Sequence, residues 1–327
     1  MGQIWALNSL GGYMAAQNLS ERLRFGLSGL CKCRQFAEAK NARFQAKKTG
    51  DVFHWDVYKM LSTRGGTLVE TNTMPTSNFT IVQGTLTVNE AGIAVPYSGK
   101  LEMLAEHDLK KIVDRPIRTD AKQVLDAMAY NQFRATPLRV ASATSTSAVT
   151  LTTNGTATVT NTIEFHKDHV GAIVDLMKER NIPPYVGDDY YAMSHPTTFR
   201  TMKTALESVR QYTSEGYREI KWGELGRYDN VRFIEQTNIP KGGAADSTTF
   251  NALTNVADAW NGAKSSWIVF IGEDPITEGV TQLEEVRAKI PTDYGRSKGI
   301  AWYYLGGFGL VHTDAAEARV LMWDSAV

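Results

Sequence analysis

Residues 61–78, LSTRGGTLVETNTMPTSN, lie between two stretches in which apolar and polar residues alternate, DVFHWDVYKM at 51–60 and FTIVQGTLTVNEAGIAVPYS at 79–98. The alternation marks both flanks as strands. The segment between them carries Arg64, Gly65, Gly66 and Pro75, has few apolar residues beyond Leu68, Val69 and Met74, and reads as an exposed, extended hairpin or loop. A hairpin that buries neither face in its own domain needs a partner elsewhere. The chain is therefore expected to consist of a folded body and a projecting arm that another surface covers.

The body has enough material for a large core: 327 residues, 43 % of them apolar and 21 % charged, suffice for one elaborate domain or two ordinary ones. No stretch approaches the ~20 apolar residues of a spanning helix, so no membrane partner is expected. The opening MGQIWALNSLGGYM lacks a charged lead and breaks its apolar run at Asn8 and Ser9, unlike a secretion signal. Ala6 stands where myristoylation needs Ser or Thr. The two cysteines, Cys31 and Cys33, sit one residue apart in a basic segment that reads as helical. That spacing disfavours a disulfide, and two thiols do not complete a zinc site, so reduced thiols made in a cytoplasm are expected.

Charge is balanced overall, 35 basic against 35 acidic residues, but unevenly placed. Residues 1–50 hold Arg22, Arg24, Lys32, Arg34, Lys40, Arg43, Lys47 and Lys48 against Glu21 and Glu38, a net of 8 − 2 = +6, which leaves −6 for the rest. A basic arm on an acidic body fits contact with nucleic acid or with acidic neighbouring surfaces.

Further along, residues 115–137 give the clearest helix, with Ala121, Val124, Leu125 and Met128 at helical spacing, Thr119 or Asp120 as the cap, and Pro137 as the stop. Asn154-Gly155 predicts a hairpin within VTLTTNGTATVT. A second helix is expected from about Glu164 to Arg180 before Pro183-Pro184, then a strand at YYAMSHP and a helix burying Phe199, Met202 and Leu206. Residues 238–266 form an Ala/Gly/Asn-rich excursion, and long β segments close the chain.

Reactive groups do not converge. Glu164, His166 and His169 could bind a metal with a third ligand from elsewhere, but the order is not the HExxH of a metalloprotease. His195 and His312 fall at strand ends. Gly223 and Gly226 of GELG lead into a strand, and the GGFG glycines Gly306, Gly307 and Gly309 lie between strands. A phosphate loop runs from a strand into a helix N-terminus, so both glycine groups read as turns or bulges. No catalytic residue, metal or cofactor is expected.

The order of pieces resembles that of tailed-bacteriophage major capsid proteins with the HK97-like fold, in the short form without a scaffolding domain. The pieces are the basic arm, LSTRGGTLVETNTMPTSN, LTVNEAGIAVPYS, the long helix, YYAMSHPTTFRTM, GELGRYDNVRFIEQTNIP, WIVFIGEDPITEG and GGFGLVHTDAAEARVLMWDSA. The resemblance implies an α+β fold: an N-terminal arm (1–50), an extended loop with peripheral strands (51–115), a peripheral domain with a spine helix at Ile117 to Ala135 and a hairpin (116–188), an axial α/β domain (189–285), and C-terminal strands returning to the peripheral domain (286–327). It further implies an icosahedral shell of hexamers and pentamers of this chain around double-stranded DNA. The partners it brings are a portal protein, a scaffold or decoration protein, and packaged DNA touched non-specifically. Arg22, Arg24, Arg34, Arg64, Gly65, Gly66, Met74 and Pro75 become candidate interface residues, with Gly223 and Gly226 as a structural turn. The alternatives are a metal-dependent hydrolase using Glu164, His166 and His169, and a nucleic-acid-binding module using the arm.

Overall fold

The structure, a computed structural model, describes residues 31–41, 52–61, 63, 65–70, 73–142, 147–155, 163–210, 226–239, 266–291 and 293–325. Two sheets organise it. The larger has seven strands in the order β6 (Val149–Thr152), β5 (Leu138–Ser142), β13 (Val320–Ser325), β10 (Ser266–Ile271), β7 (Tyr190–Ser194), β9 (Val231–Glu235) and β8 (Arg227–Tyr228). The smaller has four, in the order β1 (Ala37–Asn41), β11 (Ile276–Ala288), β12 (Ser297–Leu310) and β4 (Asn89–Ser98). A separate two-stranded ribbon pairs β2 (Val52–Tyr58) with β3 (Ile81–Thr87).

Strand periodicity of two decides how the layers stack. In β10, Trp267, Val269 and Ile271 face one core while Ile268 and Phe270 face another, and in β13 Val320 and Met322 alternate with Leu321 and Trp323 in the same way. The seven-stranded sheet is thus a middle layer, buried on both faces, which explains its nearly continuous apolar strands. One face is covered by α3 (Lys167–Glu179) and α4 (Arg200–Arg210), through Val170, Ile173, Val174, Met177, Met202 and Leu206. The other is covered by α2 (Leu109–Arg134), which also packs on Trp302 and Tyr304 of the four-stranded sheet.

The long helix starts earlier than its apolar stripe indicates. Asp108 caps it by accepting from the Lys110 N–H at 3.0 Å, and Pro116 lies inside it. An internal proline costs roughly 3 kcal/mol, and burial of Leu109 and Ile117 on either side of it offsets that cost. Thr119 and Asp120 are therefore interior positions, and Asp120 instead accepts from Trp302 Nε1 at 2.8 Å. Before it, the short α1 (Gly99–Leu104) is capped by Ser98 Oγ.

The segment around Cys31 and Cys33 is not an α-helix: Arg34–Phe36 make one 3₁₀ turn, and Ala37 enters β1, which pairs in parallel with β11. The hairpin of β6 is also differently placed, since β6 pairs with β5 across residues 143–148, and Gly155 (φ 72°) instead bonds back to Pro137 O. The strand expected after Asn154-Gly155 falls largely on residues outside those described. The second helix ends as its sequence requires, with Asn181 in the left-handed region (φ 57°) and the Ile182 N–H bonded to Met177 O, ahead of Pro183-Pro184.

Sheet membership cuts across the expected boundaries. β5, β6 and α3 belong with β7, β9 and β10, β11 runs through residue 285 within the four-stranded sheet, and the C-terminal strands divide, β12 to one sheet and β13 to the other.

Candidate subunit interface

The ribbon β2–β3 lies on β12 where that strand has no side chains to resist it. A Cβ on Gly307 would collide with the Thr87 carbonyl oxygen, and one on Gly309 would lie 2.8 Å from the Trp55 ring. GGFG is therefore a landing strip for the ribbon, as close backbone approach demands. Trp55 fixes the contact by donating from Nε1 to Val311 O at 3.1 Å, and Lys59 forms an ion pair with Asp314. Phe53 and Leu86 complete a small core with Trp55 and Val88.

Beyond this anchor the chain is open. Tyr58, Met60, Leu61, Leu68, Val69, Met74, Phe79 and Ile81 are all exposed, Met60 to 90 %. Gly65 and Gly66 have open space around them, and Pro75 is exposed. Eight large apolar side chains are thus exposed on this segment and its flanks. The sequence-predicted candidates Gly65, Gly66, Met74 and Pro75 lie on it; Arg64 is outside the described residues.

Arg34 is held by its own subunit. Its guanidinium reaches Glu278 Oε1 and Glu284 Oε1, each at 2.8 Å, with Glu278 buried and also accepting from Tyr304 Oη at 3.0 Å. Beside it, the buried Asp126 carboxylate accepts from the Cys33 N–H at 2.6 Å, the Arg34 N–H at 3.2 Å, Gln236 Nε2 at 2.5 Å and Asn238 Nδ2 at 3.3 Å. Burial raises the Asp126 pKa, and these four donors oppose the rise. The pair of contacts clamps Cys33 and Arg34 to α2 and to the residues that follow β9, a connection between distant residues that no local motif announces. Burial also pushes the Cys31 thiol up to about 11, and neither cysteine is in a disulfide. Between this segment, α2 and β11 lies a cleft of about 540 Å³. Arg22 and Arg24 lie outside the described residues.

The histidines do not form a site. His169 is fully buried, accepts from the His166 N–H through Nδ1 at 3.0 Å, and stacks 4.8 Å from Trp323, so it caps α3 and fills the core. His166 faces Asp168 at 3.2 Å, while Glu164 accepts from Thr201 Oγ1 at 2.7 Å. Among the described residues no three His, Cys, Asp or Glu side chains are grouped to hold a metal ion. No helix among the described residues is long and apolar enough to cross a membrane.

The described part of the GELGRYDN stretch, residues 226–230, makes a turn. Gly226 has φ 65°, and the reversal between β8 and β9 is made by Asp229 and Asn230, at φ 47° and 58°. Two successive left-handed residues make a type I′ hairpin turn. Gly223 lies outside the described residues. Arg227 and Arg232 of this hairpin both contact the buried Asp189, each at 2.7 Å.

No protein-family model and no curated protein sequence matches the chain. Solved structures do. The capsid of Ralstonia phage GP4 superposes with a TM-score of 0.66 at 13 % identity, covering 100 % of this chain and 98 % of that one. The capsid of Helicobacter pylori bacteriophage KHP30 gives 0.67 at 12 % identity over 95 % of each chain. The capsid of the cyanophage P-SCSP1u gives 0.66 at 9 % identity, over 95 % and 92 %. Likeness of this extent at such low identity resides in the path of the backbone, and the chain has the α+β, HK97-like fold of phage capsid structures.

Proposed function

We propose that this chain is the major capsid protein of a tailed bacteriophage, a non-enzymatic subunit that assembles with copies of itself into an icosahedral shell around double-stranded DNA. The observation that carries the proposal is the end-to-end match to phage capsid chains, 95 % or more of this chain in each of three different phages. The exposed apolar arm gives it a physical reason. Ordering such an arm costs conformational entropy, and that cost is recovered when every copy in a closed assembly covers a neighbour's arm.

In this assignment the four-stranded sheet with α2 is the peripheral body, with α2 as the spine helix. The seven-stranded sheet with α3 and α4 is the axial body, and residues 59–80 are the extended loop. Capsomers are hexamers and pentamers, a portal protein occupies one vertex, and a separate scaffold or decoration protein completes assembly. The protein is made in the host bacterial cytoplasm and ends in the virion, where the basic N-terminal segment touches DNA through phosphates alone.

The test is negative-stain electron microscopy of the purified chain after size exclusion in near-physiological salt, alone and with lysate from infected cells as a source of scaffold. Uniform shells or capsomer rings are expected. A chain that stays monomeric in both settings overturns the proposal.

A further inference from the structure

We infer that Cys31, Cys33 and Met193 form a binding site for a soft monovalent metal ion, copper(I) or its analogue silver(I), beside the cleft between the N-terminal segment, α2 and β11. The Cys33 thiol donates to Met193 Sδ at 3.6 Å, and both residues are fully buried. Metal–sulfur bonds of about 2.3 Å set two sulfur ligands of one ion roughly 3.8–4.0 Å apart at tetrahedral or trigonal angles. The observed pair therefore needs to open by only a few tenths of an ångström. Two sulfurs in contact are ordinary core packing by themselves. A third sulfur close by, reached from solvent, distinguishes this pair.

Cys31 supplies that sulfur and the way in. It is half-buried and lines the cleft, while Cys33, two residues on, is turned into the core. Both thiols lie within electrostatic reach of the Asp126 carboxylate, and Cys33 within reach of Cys31. Neither Cys31 nor Lys32 belongs to a helix or strand. One side chain straps this short turn: Gln236 accepts from the Lys32 N–H through Oε1 and donates from Nε2 to Cys33 Sγ, each at 3.0 Å.

The donor set selects the ion. Thiolate and thioether together suit copper(I), whereas calcium, magnesium and manganese want oxygen. Zinc wants four ligands and does not use a thioether, and no third His, Cys, Asp or Glu joins the two thiols among the described residues. Binding one ion releases a proton from each thiol to solvent, so a monovalent cation with two thiolates leaves one net negative charge. The Gln236 amide faces that charge at Cys33, and the Lys122 ammonium favours the thiolate at Cys31. Burial raises both thiols above their ordinary value, so near neutral pH the metal must displace two protons. Affinity then climbs by up to about a hundredfold per pH unit. The bound ion would tie residues 31–33 to β7, within the large sheet, and stabilise the chain by linkage.

The experiment titrates copper(I) into the reduced full chain under argon, in competition with a chromogenic copper(I) chelator, at several pH values. One ion per chain is expected, with the steep pH dependence of a two-proton exchange. Cys33→Ser should abolish uptake, and Cys31→Ser and Met193→Leu should each weaken it about tenfold or more. Met193→Leu keeps the core filled, so the test stands even where Cys33→Ser fails to fold. X-ray absorption at the copper edge should count three sulfur neighbours in the unaltered chain and two in Met193→Leu. No uptake against the chelator overturns the site. Uptake of equal affinity in Cys31→Ser and Met193→Leu shows the ion held elsewhere and overturns it too. Dependence on the cysteines with Met193→Leu unaltered overturns the three-sulfur arrangement. The site lies within one chain, so none of these results bears on the shell-subunit proposal.

Discussion

His312 closes β12 where the ribbon is anchored, and it is only 7 % exposed, with neither ring nitrogen bonded to any described residue. Burial, with the positive charge of Arg319 adding to it, pushes the ring from 6.5 down to about 4. The folded state therefore holds the neutral ring where the unfolded chain would take up a proton. Above pH 6.5 the ring is neutral in both states and costs nothing; as pH falls toward about 4 only the unfolded chain gains the proton, and stability is lost. Chemical denaturation of the subunit across this window should show stability falling with acidity by at most about 1.4 kcal/mol per pH unit more than in His312→Phe. Parallel curves for the two proteins would assign no role to the ring. Gly307 is constrained in another way. Because a Cβ there meets the Thr87 backbone, Gly307→Ala should cost about 1–3 kcal/mol, read from the urea midpoint. An unchanged midpoint would mean that the ribbon is free to lift. The GGFG glycines are expected in a turn or bulge between two strands, but Gly306, Gly307 and Gly309 lie inside the single strand β12, paired with β11. That its glycines serve a ribbon more than 200 residues earlier in the chain is a tertiary fact, and nothing local in the sequence carries it.

At the scale of elements, legibility follows how local the cause is. The helix at Lys167–Glu179, the strand at Tyr190–Ser194 and the buried Phe199, Met202 and Leu206 all follow from apolar spacing with nearby stop signals. The long helix is misjudged at its start because Pro116 is a local stop signal that distant packing overrides. The Cys31–Phe36 segment reads as helical from its composition, but Asp126 and Glu278, far along the chain, hold it in a 3₁₀ turn leading to a parallel strand. The projecting arm is legible because its lack of buriable faces is itself a property of the sequence. Its anchoring at Trp55, Lys59 and Asp314 lies outside the open tip, so tip and base should separate experimentally. Deleting residues 63–78 should leave a subunit with near-wild-type thermal unfolding that no longer closes shells, scored by calorimetry and electron microscopy on the same preparation. Normal shells from the deletion would move the subunit contact elsewhere.

The whole molecule joins a middle sheet buried on both faces to an arm with almost no burial of its own, and these two parts should differ sharply in how they open. Protease cleavage follows local opening, which costs little where few apolar contacts and no backbone ladder hold the chain. In the free subunit, cleavage should therefore begin within residues 59–80, which include Lys59 and Arg64, while β10 and β13 at the centre of the large sheet resist until global unfolding. Assembly changes this order only if neighbours cover the arm. Limited trypsin digestion of size-separated subunits and shells, followed by mass spectrometry of the fragments, should show cutting in this loop slowed by about tenfold or more in shells. That factor corresponds to about 1.4 kcal/mol of added protection per loop, a modest demand for a surface that buries several large apolar side chains. Equal cutting rates in both fractions would mean the arm stays uncovered in the shell, leaving its apolar residues without the partner that their exposure requires.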